Sequence, residues 1–420
     1  MMRAHVIGAG LAGLAAAVAL TRAGYAVTLS EAGPQAGGRC RSYLDPQLGV
    51  VIDNGNHLVL SGNSAVRDYL ATIGASDRLA GPDEAAFAFA DLRDGARWTL
   101  RPNAGPIPWW LFSADRRVPG TRPLDYLALA RLMRAGKADR IGDVLRTDGA
   151  LWERLLGNFL VSALNTPAAD GSAALAGAIV RETLAKGGAA CRPMIATPTL
   201  AAAFVDPALA WLETHGATIR LGRRLRGLET EGGRIAALDF ADGAEPVAAG
   251  EPVILAVPAW VAATLLPGLT VPDKHHAIVN AHFLAVPPPG AAPLVGVIGG
   301  TAEWVFAFPD RLSVTVSAAD NLLDEDRQVL AERLWRDVAA VHDLPPTLPP
   351  WQIVREKRAT FAATPDQDRR RPSAATEHAN LWLAGDWTQT GLPATIEGAI
   401  RSGRTAASLA STMEKAAVAR

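Results

Sequence analysis

Cysteine and lysine are scarce in this sequence. Among 420 residues there are two cysteines, Cys40 and Cys191. They cannot build a disulfide framework, so the expected compartment is reducing, and cytoplasmic. Only five of the 41 basic residues are lysine: Lys137, Lys186, Lys274, Lys357 and Lys415. That limits any chemistry that needs a lysine. No apolar run reaches the roughly 18–20 residues of a membrane-spanning helix. An excess of either charge is missing too. The balance of 41 Lys+Arg against 42 Asp+Glu, a net charge of −1, lacks the basic footprint of a general nucleic-acid binder. No metal-ligand spacing is present either, and the pair His275-His276 has no partner for a zinc site. What the chain does have is apolar material, 49% hydrophobic against 20% charged, which excludes disorder and suffices for a sizeable core. At about 100–200 residues per domain, its length predicts two or three domains.

The N-terminus imitates a secretory signal, with Arg3 ahead of an apolar run from Val6 to Leu20. Glycines at fixed spacing and an immediate second strand argue instead for one βαβ unit: strand Ala4–Ile7, helix Leu11–Arg22, strand Ala26–Ser30. Within it, Val6-Ile7-Gly8-Ala9-Gly10-Leu11-Ala12-Gly13 fits G-x-G-x-x-G in the required strand-to-helix context. Gly8 permits the tight turn, Gly10 lets the backbone approach a pyrophosphate, and Gly13 lets the helix pack close to the strand. The helix start at Leu11-Ala12 offers N–H groups and a positive dipole end to phosphates. Glu31-Ala32 closes the second strand, where a carboxylate can hold ribose hydroxyls and disfavour a 2′-phosphate. Gly37-Gly38-Arg39 follows; the glycine pair lets the chain pass close to a ligand, and Arg39 can fork to a pyrophosphate.

The segment 61–200 reads as mostly helical, most clearly in Asp125–Arg134, Ala150–Asn165 and Ser172–Lys186. From Ala217 the pattern turns to short strands: Thr218–Arg220, Leu225–Glu231, Arg234–Phe240, Val253–Val257, Ala277–Val286, Trp304–Phe308 and Ser313–Ser317. A helix over Leu322–Val341 ends at the Pro-rich Pro345–Pro350. A strand over Asn380–Ala384 and a helix over Leu392–Met413 close the chain. The expected fold class is α/β, with a Rossmann-like dinucleotide domain built from 1–60, 200–270 and 375–420. The intervening 61–199 and 271–374 form an inserted substrate domain of mixed sheet and helices. Trp109-Trp110-Leu111-Phe112, followed by Arg116 and Arg117, is the candidate for peripheral membrane contact.

The Gly37-Gly38-Arg39 continuation resembles that of FAD-binding flavoproteins of the amine oxidase and phytoene desaturase superfamily, which have a glutathione-reductase-type cofactor domain. That resemblance carries several expectations. Gly385-Asp386 would place its carboxylate near the ribityl chain and phosphate. The helix beginning in Pro393-Ala394-Thr395-Ile396-Glu397-Gly398 would point its positive end at the flavin N1–O2 edge. Asp53-Asn54-Gly55-Asn56-His57 would pass beside the flavin, Leu225 would meet adenine, and Val257-Pro258 would leave beside the cofactor. No cysteine lies between 385 and 400, so FAD would be non-covalent. Amine oxidation fits poorly: the position of one sandwich aromatic is Thr395, and no lysine sits where the flavin N5 lysine should.

A narrower resemblance covers nearly the whole chain. Ile107-Pro108-Trp109-Trp110, Pro119-Gly120-Thr121-Arg122-Pro123, Ala163-Leu164-Asn165-Thr166-Pro167, Gly299-Gly300-Thr301-Ala302-Glu303-Trp304 and Gly385-Asp386-Trp387-Thr388 are similar to segments of the hydroxysqualene dehydroxylases of bacterial hopanoid synthesis. It implies a C30 isoprenoid substrate, hydroxysqualene, to which reduced FAD delivers a hydride while the hydroxyl leaves as water, giving squalene and oxidised FAD, and association with the enzyme that makes hydroxysqualene. Oxidative, phytoene-type desaturation is the alternative. No second G-x-G-x-x-G is present, so the electron donor is unassigned. Loss of a hydroxyl needs an acid; the candidates are His57, Asp206 and Glu303. Trp109, Trp110, Phe112, Phe159, Phe283, Trp304 and Phe306 are candidate walls of an apolar channel.

Overall fold

The computed structural model describes residues 2–418, with side chains to 412. The βαβ unit forms as expected: β1 (Arg3–Ile7), α1 (Leu11–Arg22) and β2 (Ala26–Ser30). The alanine-rich α1 is buried on nearly every side, and its small side chains admit a second helix at very close range. A Cβ on Gly403 would lie 2.0 Å from the Ala12 carbonyl oxygen, so the terminal helix Ile396–Val418 packs directly on α1.

β1 and β2 belong to a five-stranded sheet ordered Thr218–Arg220, β2, β1, Val253–Leu255, Leu381–Leu383, with every pairing parallel. Its strands come from three separated parts of the chain. Ile7 is in register with Ser30 and with Leu255, which in turn is paired with Leu383. The carboxyl ends of four strands therefore finish on one edge, followed by Gly8, Glu31, Ala256 and the Ala384-Gly385 turn. Ligands of open α/β sheets bind outside that edge.

A seven-stranded mixed sheet faces it, ordered Trp351–Phe361, His275–Phe283, Leu312–Val316, Trp304–Ala307, Leu294–Ile298, Phe87–Asp91, Arg97–Leu100. Here the expectation needs correction. The segment 61–200 is not simply helical: Phe87–Asp91 and Arg97–Leu100 edge this sheet, and Pro193–Ala196 pairs with Leu58–Leu60. The 11-residue strand Trp351–Phe361 has no counterpart in the sequence reading. Helices also begin later than their apolar patterns suggest, because caps decide the start. Asp326 accepts the Gln328 and Val329 N–H groups, so that helix runs Arg327–His342. Thr395 accepts the Gly398 N–H at 3.0 Å, so the last helix starts at Ile396.

Candidate active site

A cavity of about 610 Å³ lies at the carboxyl edge of the parallel sheet, between it and the mixed sheet. Apart from Gly13, Asp53 and the Pro393, Glu397 and Gly398 positions around the last helix start, the cofactor-site residues named from the sequence line it. Its near wall is shaped by missing side chains. Gly8 has φ +102°, and a Cβ there would stand 2.4 Å from the Ala256 carbonyl oxygen. Gly13 lies behind the wall: its Cβ would fall 1.8 Å from the Gly8 oxygen, so the helix can approach the turn only with glycine. A Cβ on Gly10 would meet no protein atom within 4 Å, so the backbone there is bare toward the cavity.

No side chain caps the N-terminus of α1, and Leu11 and Ala12 of its first turn line the cavity. Thr395 and Ile396 line it as well, so two positive helix ends converge on one space. Glu31 is pinned by the Ala9 and Gly33 N–H groups at 2.8 and 2.7 Å. Each of its oxygens keeps acceptor capacity for a hydroxyl. Gly37 donates to the Ala9 carbonyl at 2.8 Å, stitching the second glycine turn to the first. The Arg39 guanidinium pairs with Asp386 at 2.7 Å instead of standing free for a phosphate.

The far wall is polar. Glu356, Arg358 and Thr360 line the cavity from Trp351–Phe361; His275, Ile278 and Asn280 line it from the adjacent strand. Asn54 donates to Glu356 at 3.2 Å. Asn280 accepts the Asn56 N–H and the Thr315 hydroxyl, holding the 54–57 loop against the sheet. His275 meets Trp260 edge-on, and Arg358 lies 4.9 Å from the same ring. Beneath, wholly buried Arg371 donates to the carbonyls of Asp386 and Thr388 and to Thr390, pairs with Asp368, and lies over Phe361. It thus ties the Asp386–Thr390 loop to the far-wall strand.

The sequence profile of the flavin-containing amine oxidoreductases matches residues 11–410. The chain is 54% identical over 407 residues to a hydroxysqualene dehydroxylase of Rhodopseudomonas palustris, covering 96% of this chain and 97% of that one. It is 52% identical over 406 residues to the hydroxysqualene dehydroxylase of Zymomonas mobilis, covering 97% and 98%. The chain belongs to the hydroxysqualene dehydroxylase family. It is a flavin oxidoreductase. The solved structure of wild-type putrescine oxidase bound to putrescine shares the fold, with a TM-score of 0.68 and 15% identity over 100% of this chain and 99% of that one.

Of the three acid candidates in this hydroxysqualene dehydroxylase-family chain, His57 alone lines the cavity. Burial, with Arg39 nearby, lowers its pKa to about 4, so the ring is neutral near pH 7. Asp206 must be corrected. Its side chain is exposed in the first turn of the helix Asp206–Thr214 and lines no part of the cavity. The apolar run ahead of it is a π-helical turn, Ala201–Val205, that packs its own residues into the core and leaves the carboxylate outside. Glu303 is largely buried, and burial pushes its pKa up to about 7. It accepts the Ser317 N–H at 2.8 Å and sits beside Ser162 and Trp304, outside the cavity wall.

None of the seven aromatics offered as channel walls lines this cavity; Trp260, Phe361 and Trp387 do. Trp110 packs on Tyr126 and Phe283 on Trp335, both in core, whereas Trp109 and Phe112 are exposed. His275, Glu356, Arg358 and Arg371 are the site residues the sequence reading missed. Their one signal is the alternation Glu356, Arg358, Thr360 on a single strand face.

Proposed function

We propose that this protein carries out the reductive dehydroxylation of hydroxysqualene to squalene with non-covalently held FAD. The observation that carries the reading is the convergence, in one cavity, of the glycine turn, two helix starts and Glu31. The residues fit the cofactor. Leu11 and Ala12 would hold the pyrophosphate through backbone N–H groups, Glu31 the ribose hydroxyls, and Thr395-Ile396 the electron-rich edge of the ring. Cys40 is the cysteine that lines the cavity, and burial raises its thiol to about 12, which disfavours a covalent link. Bound in its reduced form, FAD supplies a hydride.

In the overall change, the allylic C–O bond breaks, a C–H bond forms with the hydride, and the departing hydroxyl takes a proton to leave as water. His57 is the proposed carrier of that proton. With a pKa of about 4 its cation is scarce but strongly acidic, so this role gains from a falling pH. The parallel-sheet unit (1–60, 200–270, 375–420) would hold the cofactor, and 61–199 with 271–374 the lipid. The enzyme would work in the cytoplasm, peripherally on the membrane that holds its substrate, beside the enzyme that forms hydroxysqualene. Anaerobic incubation of the chemically reduced protein with hydroxysqualene tests the reaction. Squalene in the extract supports it. No squalene, with oxidised protein desaturating a polyene instead, overturns it.

A further inference from the structure

Among the described residues, five of the twelve exposed large hydrophobics fall between residues 107 and 127. They are Ile107 (58% exposed), Trp109 (65%), Phe112 (71%), Leu124 (74%) and Leu127 (56%). They form one structural unit. The turns Trp109–Phe112 and Pro123–Tyr126 lock together through an edge-on contact of Trp110 with Tyr126 at 5.2 Å. Arg117 ties the intervening loop by donating to the carbonyls of Leu111 and Thr121. With Trp110 and Tyr126 turned inward, Trp109 and Phe112, 6.4 Å apart, are left outward beside Leu124 and Leu127.

Charge gathers around them. Residues 101–140 hold eight basic and three acidic side chains, in a chain whose net charge is −1. On the helix Leu127–Arg134, Leu127, Arg131 and Arg134 lie at positions i, i+4 and i+7 on one exposed face, opposite buried Leu132. Among the described residues, neither Arg131 nor Arg134 pairs with a carboxylate, whereas Arg122 pairs with Asp125 and Arg140 with Asp170. Apolar side chains standing proud of the surface beside two exposed arginines, Arg131 and Arg134, match the two requirements of an interfacial anchor: insertion at the headgroup boundary and attraction to anionic lipid. A protein partner of neutral charge would leave the arginines unused.

We infer that the knob Ile107–Arg134 is a docking surface for an anionic bilayer, with Trp109, Phe112, Leu124 and Leu127 inserting and Arg131 and Arg134 meeting phosphate headgroups. Its purpose rests on the reading of the substrate as a membrane lipid, although the contact does not involve the cavity. The test is flotation of the purified full-length protein with vesicles of phosphatidylcholine, with and without phosphatidylglycerol. The protein should float with the anionic vesicles and much less with the neutral ones. Its tryptophan emission should shift to the blue, and added salt should weaken binding. Trp109→Ser/Phe112→Ser should lower partitioning at least about tenfold. Arg131→Glu/Arg134→Glu should lower it by about fivefold or more per charge. Both variants should keep the wild-type melting temperature and flavin content.

Equal flotation of wild type and variants overturns the assignment, as does no flotation of either. A concentration-dependent dimer that Trp109→Ser/Phe112→Ser dissociates, without vesicle binding, also overturns it and gives the face to a second copy of the chain. Flotation reads no turnover, so a protein that floats yet yields no squalene overturns the proposed reaction and upholds the docking surface.

Discussion

On one side of the cavity the parallel sheet offers backbone: Gly8, Gly10, Gly37, Gly38 and Gly385, with two helix starts between them. On the other, the mixed sheet offers side chains: His275, Asn280, Glu356, Arg358 and Thr360. The near wall is defined by atoms that must not be there, since a single Cβ at Gly8 or Gly13 would meet a carbonyl oxygen within 2.4 Å. Such a wall would suit a phosphate and ribose common to many cofactors. The far wall is defined by particular polar groups in a register set by two antiparallel strands, and it is the wall free to suit one substrate. Substitutions on the two sides should therefore fail in different ways.

The largest effect is expected where the walls are tied together. Arg371→Met strands two carbonyls and the Asp368 carboxylate in the interior, and should cost about 3–5 kcal/mol. Urea denaturation would measure it; an unchanged midpoint would show that the loop holds itself. Next comes Gly13→Ala, with a Cβ 1.8 Å from a backbone oxygen. It should cost about 3 kcal/mol, the upper end of ordinary overpacking, and release flavin as well. Gly10→Ala sharpens the contrast. Its Cβ meets no protein atom, so the apo-protein's melting point should hold while flavin affinity falls. If both variants lose stability alike, the near wall is not open at Gly10.

On the far-wall sheet, Glu303 titrates at about 7, against 4.5 for an ordinary glutamate. The folded state thus binds this proton more tightly than the unfolded one. The contribution of this group to stability is greatest below about pH 4.5 and is lost as pH rises toward 7. Glu303→Gln should remove that loss, on the order of 2–3 kcal/mol at pH 8, with little change at pH 4.5. Melting curves across that range decide it, and a parallel wild-type and variant profile would contradict it. The smallest effect on stability belongs to His57→Gln. If the His57 cation supplies the proton, wild-type turnover should rise as pH falls from 7 toward its pKa of about 4, and the variant should lose that slope.

How much of this was legible in the sequence differs between the same two walls. Helix Leu11–Arg22 and strand Ala26–Ser30 keep their expected limits, because glycine turns bound them and an apolar period fills them. In the near wall the first glycine turn and Glu31 were legible for the same reason, since glycine at fixed spacing has few other uses, whereas Gly385 and Thr395-Ile396 were reached through the family resemblance. The far wall was hidden. In Trp351–Phe361 the cavity face carries Glu356, Arg358 and Thr360, so the strand lacks the apolar alternation by which strands are recognised. Phe87–Asp91 was lost to its alanines, which read as helix. Asp206 misled because it follows an apolar run, Phe204-Val205. The π-helical turn before it puts that run in the core and leaves the carboxylate in solvent.

The direction of electron flow, from reduced flavin to the lipid, is open to a single-turnover experiment. Protein with its flavin reduced anaerobically would be mixed with hydroxysqualene while flavin absorbance and lipid products are followed together. Reoxidation of the flavin in step with squalene, one for one, is expected. Reduced flavin that persists in the presence of hydroxysqualene, in protein that binds FAD fully, would contradict it.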